Sequence, residues 1–303
     1  MQQDITFRHW LMILLLGLTW GATFMVIKIA LTGLSPFWLA AGRIGFASLL
    51  MTLIWGISGW RFWKTDARDW RSLLLIGALS SAVPFMFLSW GQQYVASGFA
   101  GVSMAAVALM VLPLAHFFVP GERLTWVKSI GLLIGFAGVL TLLGPQVFES
   151  SGQSLETLGR LACFATTFCY ALSSVLMRRL PPVDSIGLAT VLLLIGSVIV
   201  IPAAFIAEGA PVFPSTTTSL IAVIVLGLLP TAAANMLRVM VIREAGPSFM
   251  SLTNYQVPIW SVVLGTLILG EALPSTLYIA LGMILLGVFL IQWKTIIPLF
   301  KKT

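Results

Sequence analysis

The side chains able to take part in chemistry are few, and they lie inside long apolar stretches. Amides offer hydrogen-bond donors and acceptors together, and Tyr and Trp offer flat apolar faces with one polar end. Groups of this kind suit a small amphipathic zwitterion or an aromatic cation better than a bare ion. The candidate binding residues are Trp20, Arg43, Ser81, Trp90, Tyr170, Asn235, Asn254, Tyr255, Gln256 and Trp260.

The residue types that catalysis and metal binding need are scarce. The chain has two histidines, His9 and His116, and two cysteines, Cys163 and Cys169, and none of them forms a metal-ligand or nucleophile–base pattern. All ten acidic residues lie in loops or at the ends of apolar stretches. We therefore expect no catalytic residue, no metal site and no cofactor, and we regard an enzyme as the weaker alternative.

The composition decides which solvent surrounds the chain. Hydrophobic residues make up 59% of it and charged residues 9%, with a mean hydropathy of +1.02. Soluble domains carry about 25% charged residues, whereas a membrane helix needs about 20 mostly apolar residues. Continuous apolar runs predict helices rather than a barrel. The predicted spans are 9–30, 36–56, 71–91, 99–119, 124–143, 157–177, 185–206, 218–239, 247–269 and 275–294.

Basic residues predict the orientation of these spans. If the N-terminus is cytoplasmic, 13 of the 17 Lys and Arg residues lie in inner segments, as the positive-inside rule requires. Both termini are then cytoplasmic, and the protein is a multi-pass protein of the inner membrane. The net charge of +7 contacts lipid headgroups rather than nucleic acid. The expected partners are the bilayer and a small-molecule substrate, and no oligomer is required.

The chain also repeats itself. The turn Gly121-Glu122-Arg123-Leu124 returns as Gly270-Glu271-Ala272-Leu273 at an offset of 149 residues. Two repeats follow, 1–150 with the first five spans and 151–303 with the last five. Because five is an odd number, the second repeat must be inverted relative to the first. The predicted fold is therefore all-α, with ten transmembrane helices in two inverted five-helix repeats around a central cavity.

Ten spans in two halves, each with a Gly-Glu turn before its last helix, resemble the EamA-type transporters of the drug/metabolite transporter superfamily. The resemblance covers essentially the whole chain and implies export of amino acids, metabolites or drugs, or nutrient import. Within that family we expect a relation to the amino-acid exporters called YddG. One departure concerns the proline that family members often carry twelve residues before the turn: Pro258 obeys this spacing, whereas the first half has Leu109 there and its proline at Pro113.

Prolines inside the spans predict where helices bend. Pro84, Pro113, Pro230 and Pro258 lie in matching helices of the two halves, and interrupted helices at corresponding positions point to a central binding site. They are the predicted hinges. Lys28 is expected to reach the membrane interface. Arg43 leaves two alternatives open: it binds either helix C-terminal carbonyls or the substrate carboxylate.

The predicted function is movement of small amphipathic metabolites, amino acids including aromatic ones, by alternating access. Absence of a carboxylate from the mid-membrane region favours an exporter or facilitator that has no buried acid relay. The alternatives are a carrier for drugs or organic cations and, less favoured, an intramembrane enzyme or a channel.

Overall fold

A computed structural model describes residues 5–64, 69–118, 124–143, 155–211, 213–245 and 247–300. In these ranges helices joined by short turns and loops are the regular secondary structure, and one isolated bridge joins Trp63 and Val183. The helices are α1 Phe7–Ala30, α2 Pro36–Ile57, α3 Trp70–Gly77, α4 Val83–Gly91, α5 Ser97–Ala105, α6 Val107–Phe118, α7 Trp126–Leu143, α8 Leu155–Met177, α9 Ser185–Glu208, α10 Thr217–Leu226, α11 Ala234–Ala245, α12 Pro247–Met250, α13 Thr253–Leu269 and α14 Ser275–Phe300.

Nine helical segments of the described chain are long and apolar enough to cross a membrane, so the protein is an integral membrane protein. The remaining predicted span, 247–269, is divided into α12 and α13. α13 has 17 residues and is about 25 Å long at 1.5 Å per residue, shorter than the ~30 Å hydrocarbon core. A tenth span therefore stays a prediction.

Two of the spans contain a short π-helical segment at matching positions. The first π segment is Ala78–Ala82, between α3 and α4, and the second is Gly227–Ala233, between α10 and α11. Their first residues are 149 positions apart, which is the offset of the repeat. In both segments the backbone departs from an α-helix at an equivalent position. Because π turns are rare and often occur at functional sites, these two positions are candidates for a functional role.

The bundle has two ends. At the Glu271 end, the side chains of Lys28, Glu208 and Glu271 contact neighbouring helix termini. At the Glu244 end, Arg8 pairs with Glu244 (3.3 Å). Asp69 also lies at the Glu244 end, where the hydrogen bonds of Ser72 hold the pKa of the Asp69 carboxyl below its usual value.

α7 and α14 run antiparallel along a glycine-lined contact. A Cβ built on Gly131 would lie 2.9 Å from the Cβ of Leu290, and one built on Gly138 would lie 2.9 Å from the Cβ of Met283. Later residues of α7 thus meet earlier residues of α14. Small residues allow membrane helices to approach this closely.

α2 and α9 also run antiparallel. The rings of Trp38 and Phe205 pack edge-on at 4.9 Å, and further along the helices the hydroxyls of Ser48 and Ser197 lie 2.8 Å apart. Ser48 and Ser197 are themselves 149 residues apart.

The two ends are packed differently. At the Glu271 end, α5 packs against α1, α13 and α14, and Gly101 of α5 lies directly against Ser261 of α13. At the offset of 149 residues, positions 246–254 are equivalent to α5. Their described part includes α12, which packs mainly against α11 and α14. α5 and α13 therefore form an extended helix contact at the Glu271 end, which we call the α5–α13 seam. The equivalent helices, α6 and α12, have no contact of similar extent between their described residues.

Candidate functional site

Arg43 is the most deeply buried charged residue of the described spans, with 6% of its surface exposed. Its Nε donates a hydrogen bond to the hydroxyl of Thr231 (2.9 Å), and its guanidinium carbon lies 4.0 Å from the centre of the Phe85 ring. Tyr170 lies within electrostatic reach of the same guanidinium. α2, α4, α8 and the second π segment thus meet around one cation. Helix C-terminal carbonyls, the first alternative for Arg43, are not among its described partners.

The second π segment supports Arg43 through a chain of hydrogen bonds. Pro230 has no N–H, so the carbonyl of Leu226, four residues earlier, lacks its usual helical donor. The hydroxyl of Thr231 donates to this carbonyl (2.7 Å) while it accepts the Arg43 Nε–H. The indole of Trp20 donates to the carbonyl of Pro230 (3.0 Å). The carbonyl of Leu226 therefore fixes the hydroxyl of Thr231, which in turn orients Arg43.

The predicted residues of α13 have different surroundings. The side chain of Gln256 lies against Gly17, and that of Trp260 against Gly21, so Trp20 lies between two close contacts with α13. The amide oxygen of Gln256 and the hydroxyl of Tyr255 are buried without a hydrogen-bond partner in the described chain. The remaining predicted residue of this helix, Asn254, is exposed.

Ser81, Asn235 and Trp90 have other surroundings. Ser81 is buried, and its hydroxyl donates to the carbonyls of Gly77 (2.7 Å) and Leu192 (3.1 Å). Asn235 donates to the carbonyl of Thr231 (2.5 Å), behind the Arg43 contact. Trp90 lines an open apolar groove of about 440 Å³, together with Phe37, Phe87, Leu158, Leu161, Ala162 and Ala165. The structure therefore brings together Trp20, Arg43, Tyr170 and Asn235, whereas the hydroxyl of Ser81 is bonded to backbone carbonyls.

The four predicted hinge prolines differ in their backbone surroundings. Pro84 follows the first π segment and Pro230 lies within the second. Pro113 and Pro258 lie inside α6 and α13, each about two turns after a break in its helix. Proline and an irregular backbone thus coincide in all four spans, and bending about these positions stays a prediction.

Lys28 lies at the Glu271 end of the bundle and binds a helix terminus there. Its ammonium donates to the carbonyls of Gln92 (2.7 Å) and Val95 (2.8 Å), just after α4 ends. Its position at the membrane interface stays a prediction. A cation is favourable at a helix C-terminus because it meets unpaired carbonyls and the negative end of the dipole.

Glu271 has the complementary role at the start of α5. Gly270, with φ of 65°, ends α13 in the left-handed conformation, and the next residue turns back toward α5. The Glu271 carboxylate accepts bonds from the Ser97 N–H (2.7 Å), the Ser97 hydroxyl (2.9 Å) and the Gly98 N–H (3.1 Å). This explains one copy of the repeated Gly-Glu turn. The other copy, Gly121-Glu122, lies outside the described residues.

Sequence reasoning missed Thr231, Phe85 and the capping role of Glu271. A signal existed for Thr231, because a hydroxyl that follows a mid-span proline can reach the carbonyl that the proline frees. Phe85 had no comparable signal, since nothing local distinguishes it from the other phenylalanines of the apolar stretches.

Comparison with known proteins identifies the family. The EamA-like transporter family matches residues 8–144 and again residues 157–293. The chain belongs to this family. The two matched segments begin 149 residues apart, the offset read from the repeated turn. Membership of a transporter family also means that the chain is a membrane transporter rather than an enzyme.

Several relatives of the transporter share its full length. An uncharacterized transporter of Archaeoglobus fulgidus is 25% identical over 95% of this chain and 99% of its own. The uncharacterized inner membrane transporter YedA of Escherichia coli K12 is 29% identical over 91% and 88%. A probable terminal-alkyne amino-acid exporter of Streptantibioticus cattleyicolor is 24% identical over 92% and 91%. A protein of known crystal structure, 20% identical, superposes with a TM-score of 0.65 over 95% of this chain and 98% of that chain, which shows a shared fold.

Proposed function

We propose that this transporter moves small amphipathic metabolites, amino acids including aromatic ones, by alternating access, as an exporter or facilitator. Antiparallel packing of equivalent helices is the observation that carries the proposal. α7 pairs with α14 and α2 pairs with α9, and in each pair the second helix occupies the place of the first in the repeat. Such packing supports two inverted five-helix repeats, 1–150 and 151–303.

Inverted repeats give two states of similar energy that open to opposite sides. The seam between α5 and α13 supports a state that is closed at the Glu271 end and open at the Glu244 end. With both termini cytoplasmic, the closed end faces outward and the open end faces the cytoplasm of a cell whose inner membrane holds the protein. Substrate then enters a central cavity from the cytoplasm, where Arg43 and its neighbours meet it.

Amino acids are the favoured substrate class for two reasons. One full-length relative is named a probable amino-acid exporter. The Arg43 cluster also combines a buried cation with aromatic faces, which suits a carboxylate on an apolar body.

Coupling to a buried acid relay is not part of the proposal. The carboxylates of the described chain lie at helix ends, at Asp69, Glu156, Asp184, Glu208, Glu244 and Glu271. Proton pumps commonly use acids within the membrane. We therefore expect substrate flux without a fixed stoichiometry of protons.

Counterflow in proteoliposomes tests this function. Vesicles loaded with an unlabelled amino acid should accumulate the labelled one transiently and with saturation. In separate vesicles that contain no amino acid, a pH-sensitive dye should report no proton movement proportional to net uptake. A channel would give flux that neither saturates nor responds to the amino acid on the far side. Absence of flux for every amino acid would contradict the proposed substrate class.

A further inference from the structure

The terminal nitrogens of Arg43 lack a protein partner. Its Nε is bonded to Thr231 and its flat face is covered by Phe85, but neither Nη has a hydrogen-bond partner in the described chain. The Nη atoms are not among the fully sealed polar atoms of the described chain, unlike the amide oxygens of Gln92 and Gln256. Arg43, a residue with 6% of its surface exposed, thus keeps two donors that no described group accepts.

The hydroxyl of Tyr170, like the Nη atoms of Arg43, is a donor without a described partner. It has no hydrogen-bond partner in the described chain and is not sealed from solvent, and it lies within electrostatic reach of Arg43. Its ring packs with the hydrophobic cluster that contains Phe85. Arg43 and Tyr170, on α2 and α8, therefore place hydrogen-bond donors without a described partner within electrostatic reach of each other.

The guanidinium of Arg43 has no counter-ion among the described residues. The described carboxylates lie at helix ends, and each of the two nearest the Glu271 end is occupied: Glu208 caps α2 and Glu271 caps α5. A buried charge without a partner is costly in a membrane protein. A carboxylate matches the paired Nη donors in geometry as well as in charge, because the guanidinium binds it bidentately.

We propose that Arg43 and Tyr170 bind the carboxylate of the substrate, so that the carboxylate, and not the amine, is the group the transporter recognises. This inference rests on the proposed function and narrows its substrate class to small monocarboxylates with an apolar body. Organic amines without a carboxylate are excluded, because the described residues around Arg43 include no acid to receive an ammonium group.

Matched sets of three compounds test the inference on the unmodified protein. One set is phenylalanine, 3-phenylpropionate and 2-phenylethylamine, and a second is leucine, 4-methylpentanoate and 3-methylbutylamine. Each set keeps the apolar body and removes either the amine or the carboxylate. In thermal-shift titrations we expect the amino acid and the carboxylate of at least one set to bind with affinities within about tenfold of each other. The amine of that set should bind about 10- to 100-fold more weakly, because it loses the charge-assisted hydrogen bonds.

Variants then assign the effect to residues. Arg43→Gln should weaken carboxylate binding by about 10- to 100-fold, and Tyr170→Phe, which removes only the hydroxyl, by several-fold. Thr231→Val should act as a positioning change, since Arg43 loses the acceptor that orients it. Thr167→Val is the matched control, because its buried hydroxyl bonds only to the carbonyls of Ser103 and Cys163; it should leave binding unchanged.

The outcomes separate this inference from the proposed function. Amines that bind as tightly as the matching carboxylates, or a folded Arg43→Gln protein with unchanged affinity for 3-phenylpropionate, overturn the carboxylate site but leave amino-acid transport standing. If no compound of either set binds, the carboxylate site is overturned, and the proposed function fails as well only if counterflow is absent for every amino acid. The comparison of compounds on the unmodified protein decides the matter even if Arg43→Gln does not fold.

Discussion

Replacing Glu271 with glutamine should lower transport by at least about tenfold, because it weakens the seam that closes the Glu271 end. The carboxylate accepts three hydrogen bonds at the start of α5, where Ser97 is fully buried. Charge-assisted bonds of this kind contribute about 1.5–3 kcal/mol each. An amide at this position has one acceptor oxygen, and its NH₂ would face further donors.

Glu208→Gln is the matched control for this change. Glu208 also accepts three bonds at a helix start, from the Ser35 hydroxyl and the N–H groups of Phe37 and Trp38, but it joins α9 to α2 and lies outside the α5–α13 seam. Counterflow measured beside melting temperature should show similar thermal destabilisation for the two variants, with a large transport defect only at Glu271. Equal transport defects would mean that Glu271 stabilises the fold without closing the end.

Alanine at position 287 should destabilise the protein strongly, whereas alanine at position 282 of the same helix should not. A Cβ on Gly287 would lie 2.5 Å from the carbonyl oxygen of Gly131 and 2.7 Å from the Cα of Gly135. Both contacts are with backbone, which cannot rotate away, so α7 and α14 must separate. Overpacking of this kind costs about 1–3 kcal/mol, which corresponds to a fall of roughly 5 °C in melting temperature.

Gly282 provides the control because a Cβ there meets nothing within 4 Å. Its replacement by alanine should be neutral or stabilising by up to about 1 kcal/mol, since alanine is the better helix former. Melting curves of the two variants in the same detergent make the comparison. Equal melting temperatures for the two variants would show that the α7–α14 contact is looser than the structure indicates.

The sequence predicted the elements of this fold well because the membrane imposes simple rules on them. Lengths of apolar runs predicted most spans closely, such as 36–56 against the observed Pro36–Ile57. The offset of 149 residues reappears in the π segments and in the contact between Ser48 and Ser197. Pro230 predicted an irregular backbone because a missing N–H is a local property.

The pairing of side chains between helices was harder to predict. Lys28 binds the carbonyls of Gln92 and Val95 after α4, and this pairing is not revealed by the apolar sequence around Lys28. Arg43 was singled out as a buried charge, but its partners Thr231 and Phe85 come from distant parts of the chain. Such contacts depend on how helices rotate against one another, which hydropathy does not determine.

Cross-linking the seam tests alternating access most directly. A Cβ built on Gly98 of α5 would lie 3.6 Å from the Cα of Val262 of α13, so Gly98→Cys and Val262→Cys place two thiols within reach of a disulfide, in a chain whose Cys163 and Cys169 are replaced by alanine. Oxidation should stop amino-acid counterflow and a reductant should restore it, because the Glu271 end must open in every cycle. Counterflow that continues at full rate with the disulfide formed would contradict the account.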